Sequence, residues 1–245
     1  MTKNVKDGNI FHINSIRFCS KSKYPKEVKN MLSIVKSMSL QGLDGFLVDV
    51  QVDVSAGMPN LDVVGLPDTT VRESKERVRT AIKNSGFEYQ SRRIVINLAP
   101  ADMRKEGSFF DLPIAVGILL DFQEIKWQNL NDTVFIGELS LNGKINKING
   151  ILPMCIEAKK LGIRRIILPE ENAKEAAIVS GIKVIGVTNL KEVVEYLNKE
   201  INIEQSEINI QEIYNKKSKY AFDFAEVKGQ ENVKRALEIA AARWT

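Results

Sequence analysis

Histidine is almost absent: the 245 residues contain one, His12. No Cys, Asp or His cluster surrounds it, so no metal centre is read there. Cysteine is nearly as scarce. Cys19 and Cys155 form neither a disulfide framework nor a Cys-x-x-Cys pair, and read as reduced thiols of a cytoplasmic protein. No apolar run approaches the roughly 18–20 residues of a membrane span. The longest, Leu112 to Leu120, is interrupted by Pro113 and Gly117. The N-terminus has lysines but no continuous apolar stretch, so no signal peptide is read. No internal repeat or low-complexity block is evident. The Gly-x-x-x-x-Gly-Lys-[Ser/Thr] loop, whose backbone cradles phosphates, is missing.

What is present is an ordinary globular composition, 44% hydrophobic and 27% charged, on a chain long enough for one sizeable core. The net charge of +4 is unevenly placed. Residues 1–30 hold seven Lys or Arg against two Asp or Glu, whereas the remainder holds 28 against 29. The body therefore carries no bulk polyelectrolyte signal, and contact with nucleic acid needs a local patch. Residues 1–30 are polar and aperiodic. They read as a disordered basic tail, or as an extension ahead of a natural start at Met31.

From Met31 the pattern is mixed α/β. Strands are expected over 31–39, 44–54 and 61–65; Val48 to Val54 alternates strictly, placing valines on one face. A helix is expected from Thr70 to Ser85, with Thr70-x-x-Glu73 as a capping box and Gly86 as its stop. Ile94–Leu98 reads as a strand, then Asp111 caps a helix running to Phe122. Thr133–Leu141 reads as one strand ending in the turn Asn142-Gly143. Helices at 151–162, 171–180 and Leu190–Asn198 alternate with strands at Ile166–Leu168 and 182–187. Residues 199–220 turn polar and read as an exposed linker.

Three segments carry a resemblance. One runs Gly57-Met58-Pro59-Asn60-Leu61-Asp62-Val63-Val64-Gly65-Leu66-Pro67-Asp68 and on through Val71 to Arg79. The second joins Asn97-Leu98-Ala99-Pro100-Ala101-Asp102 to Lys105-Glu106-Gly107 and Phe110-Asp111-Leu112-Pro113. The third is Gly137-Glu138-Leu139-Ser140-Leu141-x-Gly143. Together they resemble the N-terminal domain of the YifB/ComM family, the magnesium chelatase-like AAA+ ATPases. The resemblance implies a ribosomal S5 domain 2-like fold over 31–198, related to the Lon proteolytic domain. It also implies that an intact parent is a hexameric DNA helicase acting in branch migration during natural transformation.

Residues 221–245 resemble the opening of the AAA+ module, in which Val227, Gly229 and Gln230 precede a helix from Glu231 to Ala242. The resemblance places these three on the adenine side of a nucleotide pocket. With the phosphate loop missing, the pocket is expected to be incomplete. No cofactor is expected for this chain, while ATP and Mg²⁺ are implied for the parent.

Lon peptidases use a Ser nucleophile and a Lys base, which must meet within hydrogen-bond reach. Aligned without gaps, Phe109 occupies the serine slot and Ser108 lies one residue early. Leu152 occupies the lysine slot. Peptidase activity is therefore not expected. On the helix from Thr70, Arg72, Lys75, Arg79 and Lys83 share one broad face, and Arg92 and Arg93 follow at the next strand. Two readings stand: a row that tracks DNA phosphates, or a solvated face with internal pairs Arg72–Glu76 and Glu73–Arg77. Glu106 with Asp111, and Asp49 with Asp53, are weaker candidates for a carboxylate pair. The reading is a non-catalytic accessory domain of a DNA-acting ATPase, with a protein-interaction or assembly domain as the alternative.

Overall fold

A computed structural model describes residues 32–126, 130–207 and 226–242. The basic stretch 1–30 with His12 and Cys19, the candidate start Met31, the linker beyond residue 207, residues 221–225 and the final Arg243, Trp244 and Thr245 lie outside the described residues.

Alternation builds the sheet. In β2 (Asp44–Ser55) the four valines from Val48 to Val54 are buried, while Asp49, Gln51 and Asp53 between them stay half-buried. β2 pairs antiparallel with β1 (Ser33–Gln41) and β4 (Arg93–Ala99), and β3 (Asn60–Val64) pairs parallel with β4. β5 (Thr133–Phe135) adds in parallel to β1; β8 (Arg165–Pro169) and β9 (Lys183–Val187) follow, also parallel. The seven-stranded order is β3-β4-β2-β1-β5-β8-β9. The α/β expectation holds. The strand expected over Thr133–Leu141 is two: the N–H of Gly137 donates to Phe109 O at 2.9 Å, and the chain leaves the sheet there. It then forms a hairpin of β6 (Glu138–Leu139) and β7 (Ile145–Asn146).

Helices cover both faces. α1 (Thr69–Asn84), α2 (Asp111–Asp121) and α5 (Leu190–Leu197) pack on the face carrying the β2 valines. α3 (Ile151–Lys160) and α4 (Glu170–Ala176) pack on the other, against Met38, Val134, Ile166, Leu168 and Val184. Burial pushes the Cys155 thiol on α3 up to about 12, which keeps it protonated and inert. Apolar all round, α2 is buried from Asp111 to Leu119. It lies so close to β2 that a Cβ on Gly117 would come within 2.6 Å of Val52 Cγ2. Beyond α5, Ile203 packs on the core and the Ser206 N–H donates to Val184 O of β9 at 3.0 Å. The last described helix, α6 (Glu231–Ala242), has no buried residue, and its Val233, Leu237 and Ile239 are exposed.

Two expected caps resolve differently. α1 starts at Thr69 because Asp68, extended at φ −73° and ψ −178°, accepts the Val71 N–H at 2.7 Å; Thr70 is already inside the helix. Asp111 caps nothing. A 3₁₀ turn, Ser108–Phe110, leads straight into α2, and the carboxylate of Asp111 turns inward instead.

There it meets Arg77 of α1, whose Nε and Nη2 donate to Oδ2 and Oδ1 at 2.8 and 3.1 Å. The Leu139 N–H of β6 adds a third contact at 3.2 Å. Arg77 also reaches Thr70 O and Ser74 Oγ. Burial pushes the Asp111 carboxyl up, against the pull of Arg77, Ser74 and the Leu139 N–H. The carboxylate in turn raises the Arg77 pKa. The bidentate geometry fixes the pair as ionised. The expected Glu73–Arg77 pair does not form, because this guanidinium is drawn into the interior.

A second carboxylate is less well served. Asp121, at the end of α2, accepts from Ser33 Oγ at 2.7 Å through Oδ1, while its buried Oδ2 has no partner among the described residues. Burial pushes its pKa up to about 6; Ser33 opposes this and the negative charge of Asp53 adds to it.

Removing Asp111 takes the carboxylate from a guanidinium that is 24% exposed and leaves the Leu139 N–H without its acceptor. Asp111→Ala is expected to lower unfolding free energy by about 2–3 kcal/mol in urea titration, less than for a fully buried pair; a loss under about 1 kcal/mol would refute the pair's structural role. Asp121 binds a proton more tightly folded than unfolded. Its stabilising contribution is complete below the unfolded carboxyl pKa of about 4. It declines as pH rises through about 6. Asp121→Asn should therefore raise Tm at pH 7 and leave it nearly unchanged at pH 4. An equal shift at both values would refute this.

Candidate functional site

α1 presents its inner face, Val71, Ser74, Val78, Ala81 and Ile82, to the core, and its outer face to solvent. Arg72, Lys75, Arg79 and Lys83 are all exposed on that outer face. Glu73 and Glu76 share it. The structure draws part of the basic set together. Lys75 and Arg79 meet Arg92 around a pocket of about 200 Å³, which is also lined by Asn60, Glu76, Tyr89 and Ser91. Arg92 is presented by a tight turn in which its N–H donates to Gln90 O at 3.0 Å. Among the described residues, none of these three cations forms an ion pair.

Tyr89, which the sequence reading did not single out, organises this region. The Arg79 guanidinium and the Lys83 ammonium each lie 5.7 Å from its ring centroid. Its edge-to-face contact with Phe122, at 5.7 Å and 83°, anchors it to the end of α2. Burial raises the Tyr89 pKa, with Arg79 opposing and Glu76 adding, so the hydroxyl stays a donor. In the sequence two aromatics, Phe87 and Tyr89, lie between Lys83 and Arg92-Arg93. Arg72 stands a turn away on α1 and does not line the pocket. Arg93 opens β4 on the opposite face of the sheet, across from Asn60 and Ser55 and beside Gly57.

The stretch aligned with the Lon serine loop is tied down at most of its residues, Glu106 excepted. Lys105 exchanges backbone hydrogen bonds with Leu66 and Asp68, and its buried ammonium donates to the carbonyls of Pro100 and Met103. Burial pulls the Lys105 pKa down, with Asp102 opposing. The Gly107 N–H reaches Asp68 Oδ2 at 3.4 Å. The Ser108 hydroxyl donates to Glu138, which also accepts from Asn146 Nδ2 at 3.2 Å. Phe109, in the nucleophile slot, packs against both core clusters. Leu152, in the base slot, is a half-buried side chain at the start of α3 whose N–H donates to Glu175 at 3.3 Å. Neither slot holds a group able to attack or to take a proton.

The weaker carboxylate pairs separate. Glu106 is exposed and meets Arg104 at 3.2 Å, whereas Asp111 is interior. Asp49 and Asp53 share the face of β2 opposite the valines, where Asp49 stands opposite Lys36 and Asp53 opposite Val95. Among the described residues no group of three or more His, Cys, Asp or Glu is placed to hold a metal ion. No described helix is long and apolar enough to cross a membrane. Val227, Gly229 and Gln230 are exposed ahead of α6 and do not line the α1 pocket.

Comparison with known proteins agrees with this architecture. The family described as Subunit ChlI of Mg-chelatase matches residues 50–172. Competence protein ComM of Haemophilus influenzae is 39% identical over 212 residues, covering 86% of this chain and 42% of that protein. The uncharacterized protein YifB of Escherichia coli is 37% identical over 211 residues, covering 86% and 41%. Lon protease 2 of Bacillus subtilis is more distant, 27% identical over 218 residues, covering 80% and 39%. The chain thus spans about two fifths of the length of these relatives. Its match to the ChlI description over half its length, with ComM and YifB alongside, places it in the magnesium chelatase-like family.

Proposed function

We propose that this chain is a non-catalytic accessory domain of a ComM-like AAA+ ATPase, and that it engages DNA. In this reading the parent is a hexameric cytoplasmic motor acting on DNA branches in natural transformation and recombination. ATP and Mg²⁺ belong to that parent's motor, and the domain acts without a cofactor of its own. The observation that carries the reading is the row of cations on α1 that form no ion pair among the described residues, joined at the Tyr89 pocket by Arg92. A solvated face neutralises its charges locally, as Arg104–Glu106 and Lys160–Glu157 do. This row does not, which supports contact with phosphates. The ComM relative, a competence protein by name, favours DNA over a purely protein partner.

Phosphate contact has a defined signature in salt. Arg72→Gln, Lys75→Gln, Arg79→Gln and Lys83→Gln should each weaken binding to a duplex of arbitrary sequence and reduce the slope of log K against log salt by about 1. Anisotropy titrations at several salt concentrations read this directly. A quadruple variant that binds like the unmodified chain sinks the DNA reading. The second expectation concerns the Lon-like loop. Casein and fluorogenic peptides should be hydrolysed at the background rate by both the unmodified chain and Ser108→Ala. Cleavage that Ser108→Ala abolishes would show that the loop is a working active site.

A further inference from the structure

We infer that the pocket between α1, the start of β3 and the turn before β4 is a seat for a phosphate monoester, the dianionic group found at a nucleic-acid strand end or on a free nucleotide. This deepens the DNA reading, on which the strand-end source rests, by giving one recessed part of the face its own ligand.

Three features separate the pocket from the cationic row. The first is size. About 200 Å³ is open, below the roughly 300–1,000 Å³ of sites that enclose drug-sized ligands. That suits a phosphate with part of its sugar, not a whole nucleotide or a stacked base pair. The second is charge. The lining sets Lys75, Arg79 and Arg92 against one carboxylate, Glu76, a surplus of two positive charges. A monoester near pH 7 carries about −1.5 to −2, as phosphorylated side chains do. A backbone diester carries one charge and leaves half the surplus unmatched. The third is direction. Lys75 and Arg79 come from one helix and Arg92 from a separate turn, so the donors converge from two sides. Arg79 is steadied over the Tyr89 ring, and Ser91 lines the pocket beside it. The Asn60 side chain is already committed, its Nδ2 to Asp62 and its Oδ1 to the Leu61 N–H, so it forms the wall and leaves the donors to the charged groups.

The test uses the full chain and one labelled single-stranded oligonucleotide prepared with a 5′-phosphate, a 3′-phosphate or hydroxyls at both ends. Deoxyadenosine monophosphate and deoxyadenosine serve as competitors. A phosphorylated end should raise affinity about tenfold over the hydroxyl form, the effect of added charge-assisted hydrogen bonds. Arg92→Gln and Lys75→Gln should bring that ratio close to one. Glu76→Gln, an exposed change that keeps the cations, should raise affinity for the phosphorylated form. Displacement by deoxyadenosine monophosphate, with none by deoxyadenosine, supports the monoester and identifies the free nucleotide as a sufficient source. Displacement by neither, with the end effect intact, supports the strand end as the source. Equal affinity for phosphorylated and hydroxyl ends, or a ratio unmoved by Arg92→Gln and Lys75→Gln, overturns the inference. The DNA reading then still stands if the hydroxyl form binds and Arg72→Gln weakens it. If no oligonucleotide binds but calorimetry detects deoxyadenosine monophosphate and Arg92→Gln removes the heat, the DNA reading falls and the monoester seat survives.

Discussion

The pairing of Arg77 with Asp111 fixes the orientation of α1, and most of what the surface offers follows from it. One buried carboxylate holds a guanidinium from α1 and a backbone N–H from β6 while belonging to α2. Three elements therefore meet at one charge. Such a pair contributes little net stability against an apolar replacement, yet either partner alone is costly. Its effect is geometric. With Arg77 facing inward, the helix cannot rotate about its axis without breaking two short hydrogen bonds, and Arg72, Lys75, Arg79 and Lys83 are held outward.

The same constraint explains what was legible in the sequence and what was not. Strict alternation in Val48–Val54 needs only a sheet with one apolar face, and the buried valines match it residue for residue. The periodic helices likewise lie where their patterns put them, within a few residues. Arg77 and Asp111 were misread because each has an ordinary local explanation, an i,i+4 partner for one and a cap for the other. Nothing in the sequence between them, a separation of 34, signals that they meet. Asp68 was passed over for the same reason: Thr70 and Glu73 satisfy the capping-box spacing, but the extended backbone at Asp68 claims the Val71 N–H first. On the surface, helical spacing was enough to group the α1 cations. It could not show that Arg92 would join them while Arg93 would point to the far side of the sheet, nor that Tyr89 would sit beneath two of them.

The Lon-like loop is held by contacts to its own neighbourhood. The turn after Gly107, the 3₁₀ segment and the start of α2 occupy the place in which a nucleophile would be displayed. Here Phe109 fills that place and joins the two core clusters. Ser108 turns to Glu138, and Lys105 spends its ammonium on the carbonyls of its own loop. Asp68 accepts from both Val71 and Gly107, so the loop and the first turn of α1 share an anchor. The loop acts as a brace for the basic helix.

Among the described residues β3 ends the sheet, with β4 on one side and no strand on the other. A free strand edge is a template for pairing with another chain, and proteins commonly guard such edges with charge. This edge has flanking apolar side chains that would favour stacking: Met58, Val64 and Leu66 are all exposed. The guard is small. Asp62 projects from the middle of a five-residue strand, and its carboxylate is oriented by the Asn60 amide. Five residues give a short template, and a copy paired antiparallel about that position would set two carboxylates face to face. At this edge the charge that opposes pairing is a single acidic side chain with no part in the core or in the cationic row.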